Sequence, residues 1–251
     1  MVKKLLVFLT KNYEILVTLP VNSMANDYFR FKQFTLRQDR CGMKVGTDGT
    51  LLGAWANGGS DILDVGTGTG LIALMMAQRF PQSRVKGVDI DAEACRQAAE
   101  NVAASPFAVE IDHADFKDVE GSFDCIVSNP PFFIDSLQSP DRQRTLARHT
   151  SSLTFEVLLR HAYQLLRDDG ELSVIVPAEG LSRMDSAASL TGFFKSRQCA
   201  VRTTERKAPR RFLLAYRKHP TAAFESVEGV LQTSVGERTE WYHELTKDFY
   251  L

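Results

Sequence analysis

The sequence predicts an α/β protein with a Rossmann-like, doubly wound, mostly parallel sheet and an antiparallel hairpin toward its C-terminal end. Three observations carry that expectation. From Asp61 onward, short β-rich runs alternate with helical patterns at the spacing of strand–helix–strand crossovers. Four successive runs end in glycine, acidic or Asn-Pro residues, and open α/β sheets bind ligands beyond the carboxyl ends of their strands. A chain of 251 residues, 44% hydrophobic and 24% charged, is long enough to build one such domain around a sizeable core.

In chain order, Met1 to Ser23 reads as a leader. Lys3 and Lys4 precede the apolar stretch Leu5 to Leu9, which Thr10, Lys11, Asn12 and Glu14 interrupt. That stretch is too short for a signal-peptide core and far below the roughly 18 apolar residues of a membrane span. Met24 is the expected true start, with 1–23 disordered or a start-site artefact. Residues 24–251 then form one domain, a segment 24–60 ahead of a core 61–251. DILDVG (61–66) reads as a strand, LIALMMAQRF (71–80) as a helix, RVKGVDI (84–90) as a strand and AEACRQAAENVAAS (92–105) as a helix. FAVEIDHA (107–114) and FDCIVS (123–128) are strands. A helix over 155–167 stops at Gly170 before the strand ELSVIVP (171–177), and a further helix spans 180–195. Cys199–Arg206 and Arg211–Tyr216, separated by a few residues, form the hairpin.

Each of the four strand ends has a chemical use. Asp64 leads into Gly66, Gly68 and Gly70, a turn that lets backbone approach a ligand closely and leaves free N–H groups at the next helix. The dinucleotide fingerprint G-x-G-x-x-G is not met, because its third glycine falls on Leu71, and this counts against a nicotinamide enzyme. Asp89, at the second strand end, can bind both hydroxyls of a ribose, while Asp91 is the better cap for the following helix. Asp115 can accept from an adenine amino group with Phe116 against the ring. The fourth end, Asn129-Pro130-Pro131-Phe132, is the most specific. A nitrogen conjugated with a ring is a poor nucleophile because its lone pair is delocalised. The Asn129 side-chain oxygen and the Pro130 carbonyl can accept both N–H groups and draw that nitrogen toward a pyramidal geometry. Two prolines hold the acceptors in place, and Phe132 offers a stacking face.

These residues together resemble class I S-adenosylmethionine-dependent amino-methyltransferases. The segment Gln38 to Gly53 narrows the likeness to the bacterial tRNA1(Val) (adenine(37)-N6)-methyltransferase family, through its Lys-Val-x-x-Asp-x-x-Leu-Leu pattern at Lys44 to Leu52. The tail Leu245 to Leu251 also resembles that family's end, so the likeness runs from about Asn26 to Leu251. The resemblance implies S-adenosylmethionine as cofactor, the class I methyltransferase fold, tRNA as partner, and N6 of the adenosine 3′ of the anticodon as target. A monomer is expected, and the scattered cysteines point to reduced thiols and a cytoplasmic setting. It also implies that Lys44, Asp48 and Gly49 line the methionine side of the cofactor. Phe132 departs from the tyrosine of many relatives, which keeps stacking and loses a hydroxyl.

The formal charge of −1 excludes a polycation that coats nucleic acid, yet it is a cancellation. Residues 61–135 hold 5 basic and 13 acidic side chains, while 195–218 hold nine cations against Glu205 alone. Arg142, Arg144 and Arg148 after the Asn-Pro-Pro loop, with Arg206, Lys207, Arg210 and Arg211, are the candidate phosphate contacts. Cys41, Cys95, Cys125 and Cys199 are scattered and the five histidines share no ligand spacing, so neither a metal site nor a disulfide framework is expected. Phe29, Phe31, Phe34, Trp55 and Trp241 read as core. Alternatives with the same loop are a protein glutamine N5-methyltransferase and a DNA adenine-N6 methyltransferase. An RNA-binding or S-adenosylmethionine-sensing module is the non-enzymatic one.

Overall fold

The computed structural model describes residues 8–10, 13–15, 27–39, 45–131 and 153–251. Two short antiparallel pairs come first, β1 (Phe8–Thr10) with β2 (Tyr13–Ile15) and β3 (Tyr28–Arg30) with β4 (Thr35–Arg37), then helix α1 (Thr47–Trp55). The core follows as β5 (Asp61–Val65), α2 (Leu71–Arg79), β6 (Arg84–Asp89), α3 (Ala92–Ala103), β7 (Glu110–His113) and β8 (Phe123–Ser128). It continues with α4 (Phe155–Leu165), β9 (Leu166–Pro177), α5 (Leu181–Thr191), β10 (Phe194–Arg202) and β11 (Arg211–Arg217). The chain closes with β12 (Glu225–Val230) and α6 (Glu240–Thr246).

The eight-stranded sheet has the order β12-β10-β11-β9-β8-β5-β6-β7. Only β11 runs against its neighbours. From β5 the chain winds outward through β6 and β7, then crosses back to β8, so the strand order reverses between β5 and β8. Open α/β folds form their ligand crevice at such a point.

β5 shows why the sheet is doubly covered. All five of its residues are buried, and successive side chains point to opposite faces. Leu63 and Val65 join the cluster containing Leu158, Leu159 and Met184 of α4 and α5. Ile62 joins the opposite cluster with Leu51, Leu52, Ile72 and Met76 of α1 and α2. A third cluster fastens the N-terminal segment to the C-terminal tail: Phe31 stacks on Phe34 at 4.7 Å and on Tyr250 at 5.8 Å, and Phe249 is buried beside them. The phenylalanines expected to pack do so.

Three expectations need correction. Gly170 does not stop a helix: α4 ends at Leu165 and β9 begins at once. A side chain at Gly170 would sit 2.8 Å from Leu166 and 3.1 Å from the Asp124 carbonyl, where the β8–β9 register shifts, so close backbone approach explains the glycine. The helix expected over 180–195 ends at Thr191, and β10 starts at Phe194 rather than Cys199 and ends at Arg202 rather than Arg206. The hairpin is also not the sheet edge, because β12 pairs parallel to β10 outside it.

Candidate active site

The glycine turn leaves β5 with Gly66, Gly68 and Gly70 at φ of 73°, 56° and 82°, the left-handed region that costs a side-chain-bearing residue but not glycine. The Gly66 and Thr67 amides donate to the Val88 carbonyl at 2.9 and 3.0 Å, which moors the turn to β6. Asp64 holds it from beneath. This carboxylate is wholly buried, and its Oδ2 accepts from the Thr67 hydroxyl at 2.7 Å and the Ala73 amide at 3.1 Å, the latter in the first turn of α2. Its Oδ1 has no partner among the described residues. Burial pushes the carboxyl up to about 7.

Asp89 ends β6, with its two oxygens accepting from the amides of Gly68 and Asp91, each at 2.9 Å. Asp91 caps α3, accepting from Glu93 N at 2.8 Å and Ala94 N at 3.4 Å. This leaves Asp89 fixed toward the turn rather than spent on the helix. One strand further out, the β6–β7 register pairs Asp89 with His113, which puts Asp115 just past the neighbouring strand end. Asp115 opens a single 3₁₀ turn, Phe116–Asp118, and pairs with the Lys117 ammonium at 3.0 Å. Phe116 is 5% exposed and meets His161 edge to face at 4.9 Å, so its ring belongs mostly to the core under the site.

On the other side of the turn, the β5–β8 register pairs Val65 with Ser128, whose hydroxyl donates to the Val65 carbonyl at 2.9 Å. Asn129 therefore emerges beside Gly66. Its Oδ1 is buried without a partner among the described residues, and Pro130 behind it is buried. An orphaned buried acceptor is costly, roughly 1–3 kcal/mol, and this one offers a place for the donor of a water or a ligand.

Gly49 lies in the first turn of α1 against Leu71, and Asp48 beside it accepts from the Arg211 guanidinium, Nε to Oδ2, at 2.7 Å. No spacing in the sequence signals that pair. Arg206, Lys207 and Arg210 lie in the turn between β10 and β11, all exposed and without an ion pair to another described residue. Because β10 runs parallel with β9, and β9 with β8, this turn stands at the same sheet edge as the glycine turn and Asn129. Lys44, Phe132, Arg142, Arg144 and Arg148 lie outside the described residues.

The residues brought together fit a nucleoside-bearing cofactor. A side chain built at Gly66 would meet nothing within 4 Å, and at Gly68 only the Gly66 carbonyl at 4.0 Å, so the turn faces open space beside the Asp89 carboxylate. Among the described residues no three His, Cys, Asp or Glu side chains gather as metal ligands, and no helix is long and apolar enough to cross a membrane.

The model of the methyltransferase small domain matches residues 50–207. A tRNA1(Val) (adenine(37)-N6)-methyltransferase of Phocaeicola vulgatus is 48% identical over 235 residues, covering 91% of this chain and 99% of that protein. Enzymes of the same name from Bacteroides thetaiotaomicron and Tolumonas auensis are 44% and 38% identical, each over 91% of this chain and over 99% and 98% of their own lengths. Among solved structures, a protein of Agrobacterium tumefaciens described as a predicted O-methyltransferase superposes with a TM-score of 0.63 at 18% identity, covering 80% of this chain and 96% of its own. A methyltransferase of Pyrococcus furiosus superposes with a TM-score of 0.51 at 20% identity, over 68% and 80% of the two chains. Both share the fold.

Proposed function

The chain belongs to the tRNA1(Val) (adenine(37)-N6)-methyltransferase family, and on that footing we propose that it methylates N6 of an adenosine in tRNA, at position 37 of tRNA1(Val), with S-adenosylmethionine as donor. The observation that carries this reading is the buried, unpartnered Asn129 Oδ1 beside the glycine turn. An acceptor in that position suits a substrate N–H.

When bound, S-adenosylmethionine supplies an electrophilic methyl group on a sulfonium. The glycine turn and Asp64 shape its seat, Asp89 takes the ribose hydroxyls, and Asp115 takes the adenine amino group. Asp48 and Gly49, with Lys44, border the methionine side. The Asn129 Oδ1 and the Pro130 carbonyl accept the two N6 hydrogens of the target base, localising the nitrogen lone pair for attack, while Phe132 stacks on the ring. Transfer to the nitrogen would break the methyl–sulfur bond with its electron pair left on sulfur, and the amine, held by Asn129 and Pro130, would shed one proton to solvent. Holding donor and acceptor in line supplies most of the acceleration, and no strongly basic side chain is required.

A base in an anticodon loop must be splayed out to enter such a pocket. Arg206, Lys207 and Arg210 stand two to three strand spacings, roughly 10–15 Å, along the edge from β8, near enough for flanking phosphates. A tRNA substrate makes the cytoplasm the site of action.

The test is incubation with methyl-labelled S-adenosylmethionine and, in separate reactions, bulk tRNA, duplex DNA and a peptide release factor. Label in tRNA, recovered as N6-methyladenosine, is the expected result. Label only in DNA or in protein overturns the tRNA reading.

A further inference from the structure

We propose that Arg211 is a positioning residue for the cofactor side of the site rather than a contact to RNA phosphate. It acts by holding Asp48 in the first turn of α1. This rests on the methyltransferase reading above.

Arg211 opens β11, directly after the exposed turn that carries Arg206, Lys207 and Arg210, so position alone would group all four cations as one RNA footprint. Geometry separates them. The Arg211 Nε donates to Asp48 Oδ2 at 2.7 Å, and its Nη1 donates to the Arg210 carbonyl at 3.0 Å. The Asp48 side chain is 24% exposed and that of Arg211 36% exposed, so the pair is partly withdrawn from solvent. Two of its five N–H donors are thus committed within the protein, and the Asp48 carboxylate beside it offsets the charge that a phosphate would seek.

Asp48 is well placed for the pair to matter. The next residue, Gly49, packs so tightly on Leu71 that a side chain there would come within 2.9 Å of it, and Leu71 is the first residue of α2 after the glycine turn. One turn on, Gly53 is equally close to Met75. The first turn of α1 is thus keyed directly to the helix that the cofactor turn opens. The sheet grips α1 at both ends: Arg211 of β11 takes Asp48, and Arg197 of β10 lies 4.1 Å over the ring of Trp55. Pulling Arg211 away frees the end of α1 that borders the donor and leaves the other end held.

The expected effect follows from losing one charge-assisted bond that orients a ligand-side carboxylate, on the order of a tenfold change in an equilibrium constant. Binding is read without turnover, by calorimetric titration of S-adenosylmethionine in the absence of RNA, by tRNA retention on a filter, and by thermal melting. Arg211→Ala should raise the cofactor Kd about tenfold while tRNA affinity and the melting temperature stay close to the parent, and Arg211→Lys should recover most of the loss. Arg210→Ala should do the reverse, weakening tRNA alone. The proposal is overturned if Arg211→Ala weakens tRNA and spares the cofactor. It is equally overturned if the variant loses both ligands along with melting temperature and lysine rescues neither. Failure of the parent enzyme to methylate tRNA would sink the functional reading instead, and the cofactor titrations would still decide the role of Arg211.

Discussion

The two edges of the sheet treat charge in opposite ways. At the amino edge, where the parallel strands begin, charges are closed against each other. Asp61 of β5 accepts from Arg84 and Arg167, Arg167 also reaches Asp124 at 2.7 Å, and these partners hold the Asp61 carboxyl down at about 2. Glu171, 3% exposed, takes Arg197 at 2.8 Å and Arg217 at 3.2 Å, and Lys195 takes Asp185 at 2.7 Å. At the carboxyl edge some charges are paired, Arg211 with Asp48 and Arg202 with Glu228, but others are left open. Among the described residues Asp64 and Asn129 each keep a buried oxygen without a partner, and Arg206, Lys207 and Arg210 are exposed without an ion pair. Asp61 and Asp64 are three positions apart on the same strand, yet one is held low by cations and the other is lifted to about 7 by burial. The shared-acid networks lie where the strands start, and the open acceptors and exposed cations beside the glycine turn lie where they end. The basic run 195–218 is therefore not one surface. A hairpin sends the beginning and the end of such a run to one edge and its middle to the other, and only the middle faces the site.

The largest effect that separates the edges should come from Glu171→Ala. Removing the shared acid leaves two arginines facing a buried gap, and denaturant unfolding should show a loss of about 3–5 kcal/mol. tRNA affinity of the folded fraction should not change. Replacing Arg206, Lys207 and Arg210 together by serine should do the opposite. Melting should be unaltered, while tRNA binding weakens at least tenfold near 0.15 M salt and the log–log salt slope becomes shallower by about 2. A preserved slope would mean that these cations are only a solvated surface.

Smaller and pH-dependent effects should separate the two aspartates. The Asp61 carboxyl lies below its ordinary 3.8 in the fold, so its contribution is present above that value and lost as pH falls toward 2. The Asp64 carboxyl lies above 3.8, so its contribution is complete below that value and lost as pH rises through about 7. In melting curves across pH, Asp61→Asn should flatten the acid limb, and Asp64→Asn should flatten the decline from about 4 to 7. Identical profiles for the two variants would contradict the difference drawn between the edges. Smallest of all, Lys195→Ala breaks a partly exposed pair and should cost less than about 1 kcal/mol, with no change in tRNA binding.

Much of this was legible in the sequence because it is local. A strand buried on both faces shows apolar residues on both, as Ile62, Leu63 and Val65 do around Asp64, and a tight turn reads as glycines. The Asp91 cap needs only its own next residues. β12 was not legible, since four of its six residues are exposed and its pattern carries no apolar period. Nor was α6, whose Trp241 packs onto Gly229, because that contact is made across the end of the sheet. The ion pairs that divide the basic run join residues such as Asp48 and Arg211, 163 positions apart, and nothing in a linear charge count can foresee them.

The most direct test of the open edge is Asn129→Ala, followed by single-turnover methyl transfer to tRNA and by calorimetric titration of S-adenosylmethionine. If the Asn129 oxygen serves the substrate amine, transfer should fall by at least about a hundredfold, the scale of one lost transition-state hydrogen bond, with cofactor Kd within about twofold of the parent. An equal loss of transfer and of cofactor binding would mean that Asn129 holds the fold together and that the chemistry lies elsewhere.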